Sequence, residues 1–339
     1  MNVRRRLIPT SALTAATALA LVSLSACSSD DAAATNNKGK LDVVASFYPM
    51  QYLAEQIGGK HVEVSTLTEP GQEPHDLEIS AKQRAQLEES DAALYLKGLQ
   101  PNVDEAIGQS DLKTKIDAAG LTSLEKHEEE GHGEEGHDEH GDGEHGDEKH
   151  GDGDEHEGHE HGHAHEGPDP HIWLDPVRYA EVAEGVGKAF AKADPDHKAA
   201  YEKNTAALVK KLKGLDAEFE KGLKDTRTKV FITTHAAFGY LAERYGLTEE
   251  SITGLDPEGE PSANRVKALQ KMAEADGVTT VFHETLVSDK TAKTLANDAK
   301  LKTDVLDPVE GITEKSRGDD YVQVMRSNLK ALRTALGAK

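Results

Sequence analysis

The sequence predicts an α/β protein built as two lobes, each with a mostly parallel sheet, separated by a long helix. Three observations predict it. Short apolar runs alternate with amphipathic stretches in the first third of the chain. The same alternation restarts at residue 229. Strands alternating with helices form βαβ units, whose strands lie parallel. Between the two sets, residues 196–226 carry Tyr201, Ala207, Leu208, Leu212, Leu215, Phe219 and Leu223. Apart from one wider gap these recur at helical spacing, the stripe of one long amphipathic helix.

In chain order, residues 41–47 read as a buried strand, 48–57 as a helix and 62–67 as a second strand. Residues 80–90 read as a helix and 92–96 as a third strand. Helical pattern returns at 177–193, ahead of the long helix. The second set has strands at 229–234, 277–282 and 303–306, with helices at 237–245, 289–300 and 321–336. The expected organisation is an export signal at 1–26, a tether at 27–40, an N-terminal lobe at 41–175, connecting helices at 176–228 and a C-terminal lobe at 229–339. No Gly-rich phosphate loop is present, which argues against a nucleotide fold.

The N-terminus predicts export. Arg4, Arg5 and Arg6 precede an uncharged run that ends in small residues, the layout of a secretory signal. Leu24-Ser25-Ala26-Cys27 resembles a bacterial lipobox, which implies cleavage before Cys27 and a lipid on its thiol. Cys27 is the only cysteine, so no intramolecular disulfide and no thiolate metal site can form. The Ser, Asp, Ala and Asn that follow suit a flexible tether. No second apolar run has spanning length, so the expectation is a protein anchored to the membrane by lipid and not threaded through it.

The net charge is −23, and residues 127–166 alone hold 17 Asp and Glu against one Lys. The remainder is mildly acidic and offers no basic stripe for a phosphate backbone, which excludes nucleic acid as a partner. Residues 127–167 are, apart from Lys149 and Ala164, His, Glu, Asp and Gly with no apolar periodicity, and predict a disordered insertion. It carries His127, His132, His137, His140, His145, His150, His156, His159, His161, His163 and His165. These imidazoles offer weak, exchangeable metal sites among carboxylates that concentrate cations. The expected role is to collect or sense metal; an acidic solvated spacer is the competing reading.

Six histidines lie outside the insertion. His61 and His197 sit among charged residues and read as surface side chains. His283 ends a strand and fits either core or site. His75, His171 and His235 differ. His75 follows Pro74 just after the second strand, His171 follows Pro170 just after the insertion, and His235 ends the strand at 229–234. Proline stiffens the backbone that presents a ring. Open α/β sheets place ligands at the carboxyl ends of their strands. For any one of the three, a hydrogen-bonded loop histidine is the plain alternative, and their separations are too long for a local metal signature.

Gly71-Gln72-Glu73-Pro74-His75, Asp169-Pro170-His171-Ile172-Trp173-Leu174-Asp175-Pro176, Thr234-His235-Ala236-Ala237-Phe238-Gly239-Tyr240-Leu241 and Leu306-Asp307-Pro308-Val309-Glu310-Gly311 occur in this order. They resemble motifs of the zinc-binding solute-binding lipoproteins of metal ABC transporters, the ZnuA/AdcA-like branch of the cluster A-I family. The resemblance covers the chain from about residue 41 to its end. It implies two α/β lobes with parallel sheets joined by one long rigid backbone helix, with the metal in the cleft between the lobes. It places metal ligands on His75, His171 and His235, with Glu310 as the fourth, Asp307 as its rival, water as a further possibility, and Glu284 as a weaker candidate near the cleft. Leu77 stands where the family often has an aromatic residue, and a disulfide found in some members is impossible here.

Three imidazoles with one carboxylate or water form an ordinary zinc set, whereas manganese prefers oxygen-rich sites. Manganese-binding relatives commonly carry Glu where His235 stands. Copper and nickel would also suit the ligands in vitro. The implied function is capture of Zn(II) on the extracytoplasmic face and delivery to an ABC permease and its ATPase, by a lipid-anchored monomer that is not an enzyme. Two alternatives stand beside it: a surface adhesin or zinc store of the same fold, and an extracellular zinc hydrolase. Against the hydrolase, the sequence has no HExxH motif, no Ser/His/Asp motif and no two-metal carboxylate cluster, although Glu73 or Glu284 could be cast as a base.

Overall fold

The computed structural model of this protein describes residues 39–127 and 167–339. The expected export signal, Cys27, most of the tether and the histidines from His132 to His165 lie outside the described residues.

Two four-stranded parallel sheets organise the chain. The first contains β1 (Leu41–Ala45), β2 (Val62–Thr66), β3 (Ala92–Tyr95) and β4 (Thr114–Asp117), in the order β2-β1-β3-β4. The helices α1 (Tyr48–Gly58), α2 (Ala81–Glu89) and α3 (Pro101–Gln109) connect its strands. The second contains β5 (Val230–Thr233), β6 (Thr248–Ser251), β7 (Thr280–His283) and β8 (Lys302–Val305), in the order β6-β5-β7-β8. Here α6 (Gly239–Tyr245), α7 (Ala263–Ala275) and α8 (Lys290–Ala299) make the crossovers. Between the sheets run α4 (Pro176–Ala193) and the 26-residue α5 (Lys198–Leu223), and α9 (Tyr321–Ala335) closes the chain. Both sheets thus share one topology, and each strand order reverses between its two central strands.

Local chemistry sets these elements. Pro49, Pro101 and Pro176 open α1, α3 and α4 at the first turn, where the missing N–H costs nothing. Ser80 and Gln83 form a capping box on α2. Gly246 ends α6 at φ +63°, a left-handed conformation that favours glycine.

β1 alternates its two faces. Val43 and Ala45 enter the main core, whereas Val44 joins a smaller cluster with Leu67, Leu87 and Val103 under α2 and α3. The main core is continuous. It runs from β1 and α1 through Trp173, α4 and α5 to Phe231, Phe282 and α9. The long helix α5 packs on α1 of the first lobe and on α9 beside the second. It buries Tyr201, Leu208, Leu212, Leu215, Phe219 and Leu223 of the stripe the sequence displays, whereas Ala207 is exposed. A two-lobed α/β fold with a connecting helix is what the sequence predicts and what the structure has.

Four elements are not read from the sequence. They are α3, β4, β6 and α7. β4 and β6 are edge strands with polar sequences, Thr-Lys-Ile-Asp and Thr-Glu-Glu-Ser. An edge strand of a parallel sheet needs little apolar character. Among the described residues, no helix is long and apolar enough to cross a membrane.

Candidate metal centre

His75 ends the loop that leaves β2. Glu69 to Gln72 form a turn, and the amide of Gln100 donates to the Pro74 carbonyl at 3.1 Å, fixing the backbone just before the ring. Glu73 accepts from the His75 N–H at 3.0 Å. Leu77, at the position noted above, is buried beside Leu67 and Leu87. It anchors the far side of the same loop.

His171 sits on the segment that enters α4. The carboxylate of Asp169 accepts from the His171 backbone N–H at 2.9 Å and meets its Nδ1 at 2.8 Å. A 3₁₀ turn, Ile172–Leu174, follows, and Asp175 caps α4 through Val177. Trp173 in this turn is fully buried. Its indole donates to the carbonyl of Pro308 at 2.6 Å, and the Tyr321 hydroxyl donates to the Trp173 backbone carbonyl at 2.5 Å. One side chain therefore ties the His171 segment to the Glu310 loop. Trp173→Phe should leave the buried Pro308 carbonyl without a donor and cost about 1–3 kcal/mol of stability in denaturant titration.

His235 and Glu284 leave the carboxyl ends of β5 and β7, on the two sides of the point where the second sheet's order reverses. Open α/β sheets bind ligands at such points. Oε1 of Glu284 meets His235 Nδ1 at 2.5 Å and accepts from the Thr234 hydroxyl at 2.8 Å. Glu310 lies in the loop after β8. Val309 there has φ +60°, a conformation strained for a β-branched residue. Asp307 holds this turn by accepting from the Val309 N–H at 2.8 Å and from the Thr285 hydroxyl at 3.1 Å. Burial pushes the Asp307 carboxyl up to about 6.

These segments bring four ligand atoms together. One from each of His75, His171, His235 and Glu310 lies within 4.8 Å of the others, and all four residues are buried. Oε1 of Glu310 is 3.2 Å from Nε2 of His75, 3.5 Å from that of His171 and 3.8 Å from that of His235. The Nε2 atoms of His171 and His235 are 3.4 Å apart. A zinc tetrahedron with bonds of ~2.0–2.1 Å has edges of about 3.3–3.4 Å. The observed set already approaches that size. With Nδ1 of His171 and His235 turned to carboxylates, the Nε2 lone pairs of neutral rings face inward. Two such acceptors 3.4 Å apart call for a cation or a proton between them. Oε2 of Glu310 is also buried without a hydrogen-bond partner. The residues fit a four-coordinate cation.

The charges reinforce this. Burial opposes a charged Glu310, but His75, His171 and His235 around it hold its carboxyl below the usual range. Burial likewise opposes a charged His171, and the Asp169 and Glu310 carboxylates outweigh it, pushing the ring up to about 10. Burial pushes the Glu73 carboxyl, 3.9 Å from His75 Nε2, up to about 7. A small cavity of about 70 Å³, lined by His75, Lys97 and Gly98 of one lobe and Leu255 of the other, opens beside the group.

Of the sequence candidates, the structure gathers His75, His171, His235 and Glu310. Asp307 and Glu284 support loops and a ring from behind. His61 and His197, expected on the surface, are partly buried and stack with centroids 4.0 Å apart, and His197 meets Asp194 at 2.7 Å. His283 meets the Asp304 carbonyl at 3.1 Å, away from the group. His127, counted with the insertion, packs against Asp169 and Tyr240. The role of Asp169 was not read from the sequence. The signal available was a carboxylate two residues ahead of a candidate ligand, within reach of its ring.

The family described as ZnuA, the periplasmic zinc-uptake complex component A, matches residues 43–335. The zinc-binding lipoprotein AdcA of Streptococcus pneumoniae is 36% identical over 326 residues, covering 93% of this chain and 60% of AdcA. The chain thus spans about 60% of that relative's length. The high-affinity zinc uptake system protein ZnuA of Bacillus subtilis is 35% identical, covering 94% of this chain and 95% of that protein. Among solved structures, the Zn(II)-bound ZnuA-like domain of Streptococcus pneumoniae AdcA aligns with a TM-score of 0.68 at 33% identity, over 88% of this chain and 99% of the domain. The laminin-binding protein Lmb of Streptococcus agalactiae, described as a bifunctional adhesin and metal transporter, aligns with a TM-score of 0.72 at 27% identity, over 88% and 99% of the two chains.

Proposed function

Because this chain belongs to the family of periplasmic zinc-uptake component A, we propose that it is the extracytoplasmic capture protein of an ABC-type zinc importer. It binds Zn(II) through His75, His171, His235 and Glu310 and delivers the ion to a membrane permease driven by an ATPase. A lipid on Cys27 holds it, as a monomer, at the outer face of the membrane. The observation that carries this reading is the convergence of three Nε2 atoms on one carboxylate oxygen, with both lobes contributing ligands.

The arrangement suits reversible carriage. His75 and His171 come from the N-terminal lobe, His171 from its last segment before α4, and His235 and Glu310 from the second. Separation of the lobes therefore divides the ligand set. A catalytic zinc keeps an open position for water; here a protein carboxylate stands at the fourth corner.

Elemental analysis of the purified protein tests the ligands, and growth tests the role. One zinc should co-purify with the inner site. A deletion strain should fail in zinc-poor medium and recover with added zinc. Normal growth of the deletion strain in zinc-poor medium, with loss of attachment to host matrix, would point to adhesion.

A further inference from the structure

A second group of metal-ligating side chains stands one residue away from the first. Ligand atoms of Glu125, His127 and Glu243 lie within 4.8 Å of one another. Glu125 and His127 end the described segment before the insertion, and Glu243 is on α6.

The base of the insertion is clasped here. The Asp169 N–H donates to the Glu125 carbonyl at 2.9 Å. The Tyr240 hydroxyl accepts from the Glu125 N–H at 2.8 Å and donates to the Asp169 carbonyl at 2.8 Å. His127 lies edge-on to the Tyr240 ring, with centroids 4.4 Å apart. Its Nδ1 is 2.6 Å from Oδ2 of Asp169, whose Oδ1 supports His171. That contact aims Nε2 at Glu243, 3.5 Å away. A carboxylate behind one nitrogen, with the other facing a ligand position, is the usual support of a metal-binding imidazole.

The seat is built for this ring. A Cβ on Gly239 would come within 2.6 Å of His127 Cγ and Nδ1 and 2.9 Å of Asp169 Oδ2. Only glycine leaves room for both. The charge balance also leaves a place for a cation. Glu125, Glu243 and Asp169 face one guanidinium in contact, Arg178, which pairs with Glu125 and lies 3.8 Å from Glu243.

We propose that His127, Glu125 and Glu243 form a second, outer zinc site, joined to the inner site through the shared carboxylate of Asp169. The inference rests on the zinc reading of the inner group. The outer site is half-exposed, has three protein ligands and competes with Arg178 for Glu125. It is therefore the weaker and faster-exchanging of the two, placed at the root of a histidine-rich segment.

The test uses the mature chain with Cys27→Ser and with each of the ten histidines from His132 to His165 replaced by Asn, which leaves every described residue unchanged. Zinc titration by calorimetry should show two ions per chain, one tight and one weaker. His127→Ala should remove the weaker ion and leave the tight one. Glu243→Gln, on an exposed helix position that tolerates change, should weaken the same ion by at least about tenfold. Anomalous diffraction at the zinc edge should place the second ion at His127 Nε2. A single ion in the parent, or a second ion indifferent to both substitutions, overturns the outer site. Retention of the tight ion in His171→Ala would instead overturn the inner reading.

Discussion

His171→Ala should weaken zinc binding by roughly 10²–10³-fold, because about 10–16 kcal/mol of binding is spread over four ligands and one is removed. Each ~1.4 kcal/mol is tenfold, so a loss of about 3–4 kcal/mol gives that factor. His171 is the fully buried member of the set, and two carboxylates face its two nitrogens. Alanine removes one partner from each, leaving Asp169 with the backbone N–H and His127, and Glu310 with His75. The readout is competition against a chromophoric chelator. Thermal unfolding gives a second one. Zinc at about a thousand times Kd adds ~4 kcal/mol to the folded state. For a chain of this size that raises Tm by roughly 8–16 °C. The variant should lose most of that increment, and its zinc-free Tm should fall as well, because the ring's contacts with Asp169 and Glu310 also stabilise the metal-free fold. An unchanged affinity would remove His171 from the site.

The fold was legible where burial leaves a mark on composition. β1 and β5 are buried on both faces, so Val43, Val44, Phe231 and Ile232 announce them. The stripe of α5 is visible because it faces a core along its whole length. β6 is silent because its residues are recruited for other work. Glu249 in it accepts from the Phe238 N–H at 2.9 Å and the Thr233 hydroxyl at 2.7 Å, which favours an acidic residue over an apolar one. α7 buries only Leu269 and Ala273, too little for a clear stripe.

The site was legible only in pieces. Each of the three histidines has a stiff or strand-end setting, but nothing local says they meet. They meet because two sheets of identical strand order place their carboxyl ends face to face, and that is a property of the tertiary fold. The carboxylate choice shows the same limit. Asp307 and Glu310 sit three residues apart in one motif, and sequence alone left both open. The positive φ of Val309 turns Glu310 inward, and the hydrogen bond from Val309 to Asp307 makes Asp307 the brace of that turn. His127 was hidden for the opposite reason. It belongs to a run of similar residues, and only its contact with Asp169 sets it apart.

Zinc affinity should fall about tenfold for each pH unit between pH 8.5 and 6.5, roughly 100-fold over the range, if one proton is displaced from the free site. The proton is assigned to His171. In the metal-free protein a charged ring donates from Nδ1 to Asp169 at 2.8 Å and faces Glu310 from Nε2 at 3.5 Å. Burial opposes that charge, and the two carboxylates outweigh burial, so the ring titrates at about 10. The sign follows from linkage. A raised value means the charged ring stabilises the metal-free fold fully below its ordinary ~6.5, and that stabilisation is lost as pH rises through about 10. Zinc requires the neutral ring, so it gains over this window as the competing proton becomes scarce. Glu310 is held below the usual carboxylate range, stays ionised throughout, and takes no part in the competition. Calorimetry in two buffers of different ionisation heat should show about one proton released per zinc at pH 7.5. The zinc-dependent rise in Tm should likewise shrink as the pH falls. A flat affinity with no proton released would mean that His171 is neutral before the metal arrives, and that the carboxylates around it orient the ring without charging it.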